Sequence, residues 1–128
     1  MTTSGCARTV LIVEDDPDIR GAIVDVLTDG NYRPLQASNG ADALAELRTA
    51  ALAPCVILLD VMMPVMDGRE FRDQQRGDES LRGIPVVVLS ADADATAYAE
   101  QMEAAGFLKK PVDLTTLLQT VERFCARD

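Results

Sequence analysis

The stretch CVILLD, residues 55–60, decides the fold of this chain. Five consecutive apolar residues are followed at once by an acid, Asp60. A short run that is apolar at every position, rather than at every second one, is typical of a strand with both faces buried. The stretch therefore predicts a buried strand that delivers a carboxylate where it ends.

Other segments of the chain repeat this pattern or separate its copies. Short apolar runs occur at Val10–Val13, at Val86–Leu89 and, more weakly, at Phe107-Leu108. Residues 32–37 form a poorer candidate, and Pro34 restricts it to an edge strand. Helical patterns lie between the runs, with start signals at Pro17, Asn39, the Asp67-Gly68-Arg69-Glu70 capping box, Asp92 or Asp94, and Asp113. This alternation predicts an α/β fold of five βα units with a parallel sheet covered on both faces.

The charge balance excludes several classes of function. The 128 residues include 12 Lys plus Arg, 21 Asp plus Glu and no His, for a net charge of −9. Direct binding of nucleic acid or of an anionic membrane needs clustered basic residues, and none are clustered here. Without His, Ser-His-Asp, Cys-His and His-zinc chemistry are excluded. A site in this chain must use carboxylates, hydroxyls, lysines or thiols.

The cysteines and the N-terminal residues predict a cytoplasmic protein. Cys6, Cys55 and Cys125 are odd in number and widely spaced, which predicts reduced thiols rather than a disulfide framework. The apolar run near the N-terminus is too short for a secretory signal or a membrane span. We expect residues 1–8 to form a flexible tail and residues 9–128 to form one domain.

Polar residues follow four of the predicted strands. They are Glu14-Asp15-Asp16, Asp60, Ser90 and Lys109-Lys110-Pro111. In an open parallel sheet, ligands bind beyond the carboxyl ends of the strands, so these groups are expected to share a crevice. Converging carboxylates need a cation between them, and all-oxygen ligation favours Mg²⁺, with Mn²⁺ as the alternative. Asp16 fits a helix cap, because acids at a helix start commonly cap it.

Four motifs together resemble a known family. VLIVEDD (residues 10–16), ILLDVMMPVMDG (57–68), VVVLSA (86–91) and FLKKP (107–111) resemble the receiver domain of two-component response regulators, in the stand-alone form found in chemotaxis regulators. The resemblance covers residues 9–124. It implies a flavodoxin-like strand order of 2-1-3-4-5, a signalling module rather than an enzyme, and a cis bond before Pro111.

The resemblance implies a phosphoacceptor centre. Asp60 would take a phosphoryl group from a histidine kinase or a histidine phosphotransfer protein. Mg²⁺ would be held by Glu14, Asp15, Asp60 and the main-chain carbonyl of Met62. Lys110 would pair with a phosphoryl oxygen.

The resemblance also implies a switch and an output surface. Ser90 corresponds to the switch hydroxyl and Phe107 to the switch aromatic, with ordinary core packing as the alternative for the ring. An unknown protein partner would read the region around helix 4, strand 5 and helix 5. A phosphorylation-linked homodimer through helices 4 and 5 is a further possibility. The interval between Ser90 and Lys110 is about two residues short for the family, which predicts a short or shifted fourth helix.

Three alternatives remain open from the sequence. A degenerate receiver would bind a partner without turning over phosphate. A flavodoxin-type cofactor binder would need a phosphate loop after the first strand, where Glu14-Asp15-Asp16 would repel phosphate. A haloacid-dehalogenase-like phosphatase would need a second Asp where Met62 stands.

Overall fold

The computed structural model describes residues 8–50, 53–61, 67–91 and 95–125. The strands within them are β1 (Thr9–Val13), β2 (Arg33–Ala37), β3 (Val56–Asp60), β4 (Val86–Ser90) and β5 (Gly106–Lys109). The helices are α1 (Pro17–Asp29), α2 (Gly40–Thr49), α3 (Gly68–Arg76), α4 (Ala95–Gln101) and α5 (Leu114–Phe124). All neighbouring strands pair in parallel, in the order β2-β1-β3-β4-β5. The predicted fold class and strand order are confirmed.

The side chains of β1, β3 and β4 alternate between two apolar layers. One layer joins Leu11 and Leu59 to residues of α2 and α3, including Phe71. The other joins Ile12 and Leu58 to residues of α1 and α5. Because helices cover both faces, each position of these strands is buried, and this explains the uninterrupted apolar runs in the sequence.

Side-chain caps fix where the helices begin and therefore where the strand–helix turns lie. Asp16 accepts hydrogen bonds from two main-chain N–H groups of the first turn of α1, and Asn39 does the same once for α2. Asp67 and Glu70 form a reciprocal capping box at α3, and Asp113 caps α5. These predicted caps are confirmed. The predicted starts of the fourth helix, residues 92 and 94, lie outside the described residues, and α4 as described is short, with seven residues.

A buried arginine holds the short connection between α4 and β5. Arg72 of α3 donates to the main-chain oxygens of Met102 and Glu103, at 2.7 and 2.9 Å, and to Oε1 of Gln75 at 2.8 Å. The Gln75 amide donates in turn to two carbonyl oxygens of the segment between α3 and β4, at 2.9 and 3.0 Å. We call Arg72, Gln75 and these carbonyls the Arg72 cluster. It ties α3 to the connection between α3 and β4 and to the connection between α4 and β5.

The prediction of reduced thiols is wrong for two of the three cysteines. A disulfide joins Cys55, just before β3, to Cys125, just after α5, with Cα atoms 5.4 Å apart. The two residues are 70 positions apart in sequence, so their proximity arises only when α5 packs against the sheet. Cys6 lies outside the described residues. The disulfide is at the end of the sheet opposite to the acidic residues that follow β1 and β3.

The first described residue belongs to the folded part of the chain. The Arg8 guanidinium donates to the main-chain oxygens of Gly30 and Asn31, at 2.8 and 3.1 Å, and lies 4.1 Å from the centroid of the Tyr32 ring. Residues 1–7, the rest of the predicted tail, lie outside the described part. Among the described residues, no helix has the length and apolar character needed to cross a bilayer.

Candidate functional site

Strand alternation directs three charged side chains to the same side of the sheet. Glu14, Asp60 and Lys110 each lie two residues beyond a strand residue that faces the layer of α1 and α5. Those strand residues are Ile12, Leu58 and Leu108. Because side chains two apart on a strand share a face, the three charged groups converge beyond the carboxyl ends of β1, β3 and β5. The convergence of these three residues therefore follows from their positions along parallel strands of the same sheet.

The Lys110 ammonium lies between two buried carboxylates. Its Nζ is 2.8 Å from Oε1 of Glu14 and 3.3 Å from Oδ2 of Asp60. The side chain of Glu14 is fully buried, that of Asp60 is 4% exposed and that of Lys110 is 17% exposed. Burial alone would lower the pKa of Lys110, but the two adjacent carboxylates outweigh burial and raise that pKa above its usual value. Lys110 is therefore a fixed positive charge at neutral pH.

Glu14 keeps one carboxylate oxygen without a well-oriented donor. Its Oε2 accepts a hydrogen bond from the main-chain N–H of Asp16 at 3.2 Å. Its Oε1 is buried and lies 2.8 Å from the Lys110 Nζ, and no hydrogen-bond donor is assigned to it among the described residues. The short distance makes the contact an ion pair. A buried oxygen in this condition has capacity left for a further cation.

The donor set fits a hard divalent cation. Carboxylate oxygens of Glu14, Asp15 and Asp60 all lie within 4.8 Å of one another, and Asp15 is exposed. Three carboxylates against one ammonium leave a formal charge of −3 + 1 = −2 at this point. An open cavity of about 470 Å³ gives access to all four groups. Oxygen-only ligands beside an open space are what Mg²⁺ uses when it also binds water and phosphate. The residues present therefore fit the predicted magnesium site.

The two predicted switch residues share the other face of the sheet. Phe107 pairs with Val88, which packs in the layer of α2 and α3, and Ser90 lies two residues beyond Val88. Ser90 is buried, and its carbonyl accepts a hydrogen bond from the N–H of Lys110 at 2.9 Å. Phe107 is 40% exposed.

The remaining sequence-based expectations are settled in part. The bond between Lys110 and Pro111 is cis, as the resemblance implies. Asp16 accepts the capping hydrogen bonds of α1. Met62, whose carbonyl was assigned to the metal, lies outside the described residues.

Sequence reasoning missed two residues that contact the site. The N–H of Gly68 donates to the carbonyl of Val61 at 2.9 Å, and a Cβ at Gly68 would lie 2.9 Å from the carbonyl oxygen of Asp60. Arg20 donates to the carbonyl of Glu14 at 2.7 Å. A glycine directly after a helix cap was a usable signal for close backbone approach. For Arg20, the only signal in the sequence was its position about one helical turn after the acidic residues.

Comparison with known proteins gives one consistent result. A family model of the response regulator receiver domain matches residues 10–122. Protein PilH of Pseudomonas aeruginosa is 31% identical over 119 residues, which are 91% of this chain and 97% of PilH. The crystal structure of chemotaxis response regulator CheY4 of Vibrio cholerae has a TM-score of 0.81 and 33% identity, with 91% of this chain and 97% of that one covered. The DNA-binding transcriptional regulator NtrC of Escherichia coli is 34% identical over 89% of this chain, which spans only 24% of NtrC.

The fold and the acidic site define a signalling module of the two-component type. The chain belongs to the response regulator receiver domain family.

Proposed function

We propose that this receiver domain accepts a phosphoryl group on Asp60 from the phosphohistidine of a histidine kinase or a histidine phosphotransfer protein. The observation that carries the proposal is the Lys110 ammonium between the buried carboxylates of Glu14 and Asp60, at the floor of an open cavity. A receiver that only bound a partner would have no need for buried charges in this arrangement. Burial of charge is costly unless it is paired, and here one ammonium faces two buried carboxylates.

The transfer step requires position and charge rather than a general base. A carboxylate oxygen of Asp60 forms the new bond to phosphorus while the P–N bond of the donor breaks. The electron pair of that bond stays on the imidazole nitrogen of the donor. No proton has to be removed in this step, because an aspartate carboxylate is ordinarily ionised at neutral pH. Lys110 is placed to bind an equatorial phosphoryl oxygen as negative charge develops there.

Glu14, Asp15 and Asp60 would hold Mg²⁺, with Mn²⁺ as a substitute, and the carbonyl of Met62 would complete the protein ligands. The bound cation would offset the charge of −2 at the site and the charge of the incoming phosphoryl group. The chain's own contribution is to bury Glu14, fix Asp60 at the end of β3 and keep the cavity open on the side of Asp15.

A protein donor fits the surface beside the site. An apolar cavity of about 210 Å³ lies between α1 and the β5–α5 connection and includes Ile19, Ile23, Pro111 and Val112. Lys110 borders both this cavity and the acidic one. A partner that seats apolar side chains here would bring a phosphohistidine next to Asp60. If the donor kinase takes its phosphate from ATP, we expect this receiver domain to act in the cytoplasm.

Output would follow from movement of Ser90 and Phe107. The Ser90 hydroxyl would turn toward the phosphoryl group, and the exposed Phe107 ring on the same face would pack inward. That change would alter the surface of α4, β5 and α5 for a downstream protein. A homodimer through α4 and α5 stays a prediction.

The test is the intact mass of the chain after incubation with acetyl phosphate, with and without Mg²⁺. We expect the parent to gain the mass of one phosphoryl group only when Mg²⁺ is present, and Asp60→Asn to gain none. Asp67→Asn is the matched control, because it changes another Asp in the same part of the chain that serves as a helix cap. No gain by folded parent protein would support the degenerate receiver instead.

A further inference from the structure

Arg20 connects three elements around the acidic residues that follow β1. It lies one turn into α1, and its Nη1 donates to the main-chain carbonyl of Glu14 at 2.7 Å. Its Nε donates to Oε1 of Gln36, on the edge strand β2, at 3.3 Å. The side chain is half-buried and lines an open cavity together with Gln36 and Ala37. No role in the proposed function has so far been assigned to this residue.

The carbonyl that Arg20 binds controls the orientation of Asp15. The carbonyl of Glu14 and the N–H of Asp15 belong to one planar peptide unit, so fixing one end fixes the other. The preceding peptide is also held, because the N–H of Glu14 donates to the carbonyl of Ala37 at 3.0 Å. These two hydrogen bonds hold the peptide planes on both sides of Glu14. The position of the exposed Asp15 carboxylate depends on this main chain.

We propose that Arg20 is a positioning residue of the divalent cation site, and that it acts by fixing the peptide plane between Glu14 and Asp15. The inference rests on the proposed function, since it concerns the same cation. Arg20 contacts the main chain and a side chain of β2, so it supports the ligands from outside the cation site. Outer partners of this kind hold ligands in the orientation that the cation needs.

The charge of Arg20, taken alone, predicts a change in Mg²⁺ affinity opposite in sign to the change expected from positioning. Arg20 carries a positive charge and contacts the main chain of Glu14, so its removal alone would leave the acidic residues in more negative surroundings and attract a cation more strongly. Loss of positioning instead weakens cation binding, because Asp15 must then be ordered at the moment of binding. The direction of the change in affinity therefore separates the two roles. A purely structural role would change the melting temperature and leave the affinity unaltered.

Three variants of the full chain make the test. Arg20→Gln removes the charge and the reach of the guanidinium. Arg20→Lys keeps the charge but has one donor nitrogen in place of the Nε and Nη1 that contact Gln36 and Glu14, so it lacks the planar fork that holds both at once. Arg33→Gln is the matched control. It removes the same charge from an exposed residue at the opposite end of β2, next to the start of β1.

The experiment measures Mg²⁺ binding by titration calorimetry and thermal unfolding without Mg²⁺ by circular dichroism. We expect the dissociation constant for Mg²⁺ to rise about tenfold in Arg20→Gln, as for loss of other outer-shell partners. Arg20→Lys should be intermediate, and Arg33→Gln should match the parent. The Mg²⁺ concentration for half-maximal phosphorylation by acetyl phosphate should rise in the same order, with a smaller change in the rate at saturation.

The outcomes separate this inference from the proposed function. Equal or tighter Mg²⁺ binding by folded Arg20→Gln overturns the positioning role and leaves the proposed function intact. Weaker binding in Arg33→Gln to the same extent also overturns it, because the loss would then not depend on the contacts that Arg20 makes. Absence of Mg²⁺ binding by the parent overturns both. If Arg20→Gln does not fold, the Arg20→Lys variant decides. Parental Mg²⁺ affinity in folded protein that carries both Arg20→Lys and Gln36→Ala would contradict the inference.

Discussion

Among the described residues, the side chains of Lys110 and Arg72 are cationic and largely enclosed, and their partners differ. Lys110 lies between carboxylates, and these raise its pKa. Arg72 has carbonyl oxygens and an amide oxygen as partners, and burial and the nearby Arg76 lower its pKa. In the first cluster, negative charge exceeds positive charge and a buried oxygen of Glu14 lacks a well-oriented donor. In the second, the guanidinium is matched by neutral acceptors.

This difference separates a site that is prepared for a ligand from one that only stabilises the fold. Neutral acceptors that satisfy the hydrogen bonds of a buried cation contribute stability and leave no excess negative charge for a further cation to bind. Excess carboxylates around an ammonium leave a charge that a cation and a phosphoryl group can complete. The open cavity lies beside Lys110, whereas Arg72 is buried between α3 and the start of β5.

The largest effect is expected from Lys110→Met. Removal of the ammonium takes away a charge that stabilises the developing phosphoryl oxygens, and loss of one such group costs about 100-fold in rate. The measurement is the initial rate of phosphorylation by acetyl phosphate at saturating Mg²⁺.

Lys109→Met is the matched control, because Lys109 is the adjacent residue, is exposed and projects to the opposite side of β5. It should keep the parental rate. An equal loss of rate in both variants would show that net charge matters rather than the position of Lys110.

The next effect concerns stability alone. Arg72→Met leaves the carbonyls of Met102 and Glu103 and the Gln75 oxygen without their donor, so the free energy of unfolding should fall by about 3 kcal/mol. Arg76→Met removes an exposed ion pair with Glu103 on the same helix, so it should change that free energy by less than about 1 kcal/mol. Urea unfolding measures both. If Arg72→Met slowed phosphorylation of the folded protein as strongly as Lys110→Met, the distinction between the clusters would be wrong.

A smaller effect is expected where α3 meets the site. In Gly68→Ala the new methyl would lie 2.8 Å from the Cα of Val61 and 2.9 Å from the carbonyl of Asp60, so the main chain must shift. We expect a loss of about 2 kcal/mol in the free energy of unfolding, as for other overpacked positions, and slower phosphorylation. Gly77→Ala, at the other end of α3, meets only ordinary contacts of 3.5 Å or more and should leave both quantities close to parental values. Parental stability in Gly68→Ala would contradict the close approach.

Most of the fold follows from local patterns in the sequence. The apolar runs place the strands because a strand covered on both faces needs an apolar residue at every position. Asp16, Asn39, Asp67 and Asp113 mark helix starts because their side chains bind N–H groups two or three residues away. These interactions are short in sequence, so they can be read without the structure.

The site is predictable only as far as strand register carries it. Glu14, Asp60 and Lys110 come together because each follows a strand of the same sheet. The disulfide of Cys55 with Cys125 and the contacts of Arg72 with Met102 depend on how helices pack, and the residues involved are 70 and 30 positions apart. The hydrogen bond of Arg20 to the Glu14 carbonyl depends on the main-chain turn between them. A pattern of residue types contains no information about such contacts.

The central claim is that Asp60 is the residue that receives the phosphoryl group. The direct measurement is reduction of the phosphorylated chain with borohydride, which converts an acyl phosphate to a hydroxymethyl group, followed by peptide sequencing in a mass spectrometer. The account predicts homoserine at position 60 and unmodified side chains at Glu14 and Asp15. Reduction product at position 14 or 15, or at none of the three in protein that has gained phosphoryl mass, would contradict it.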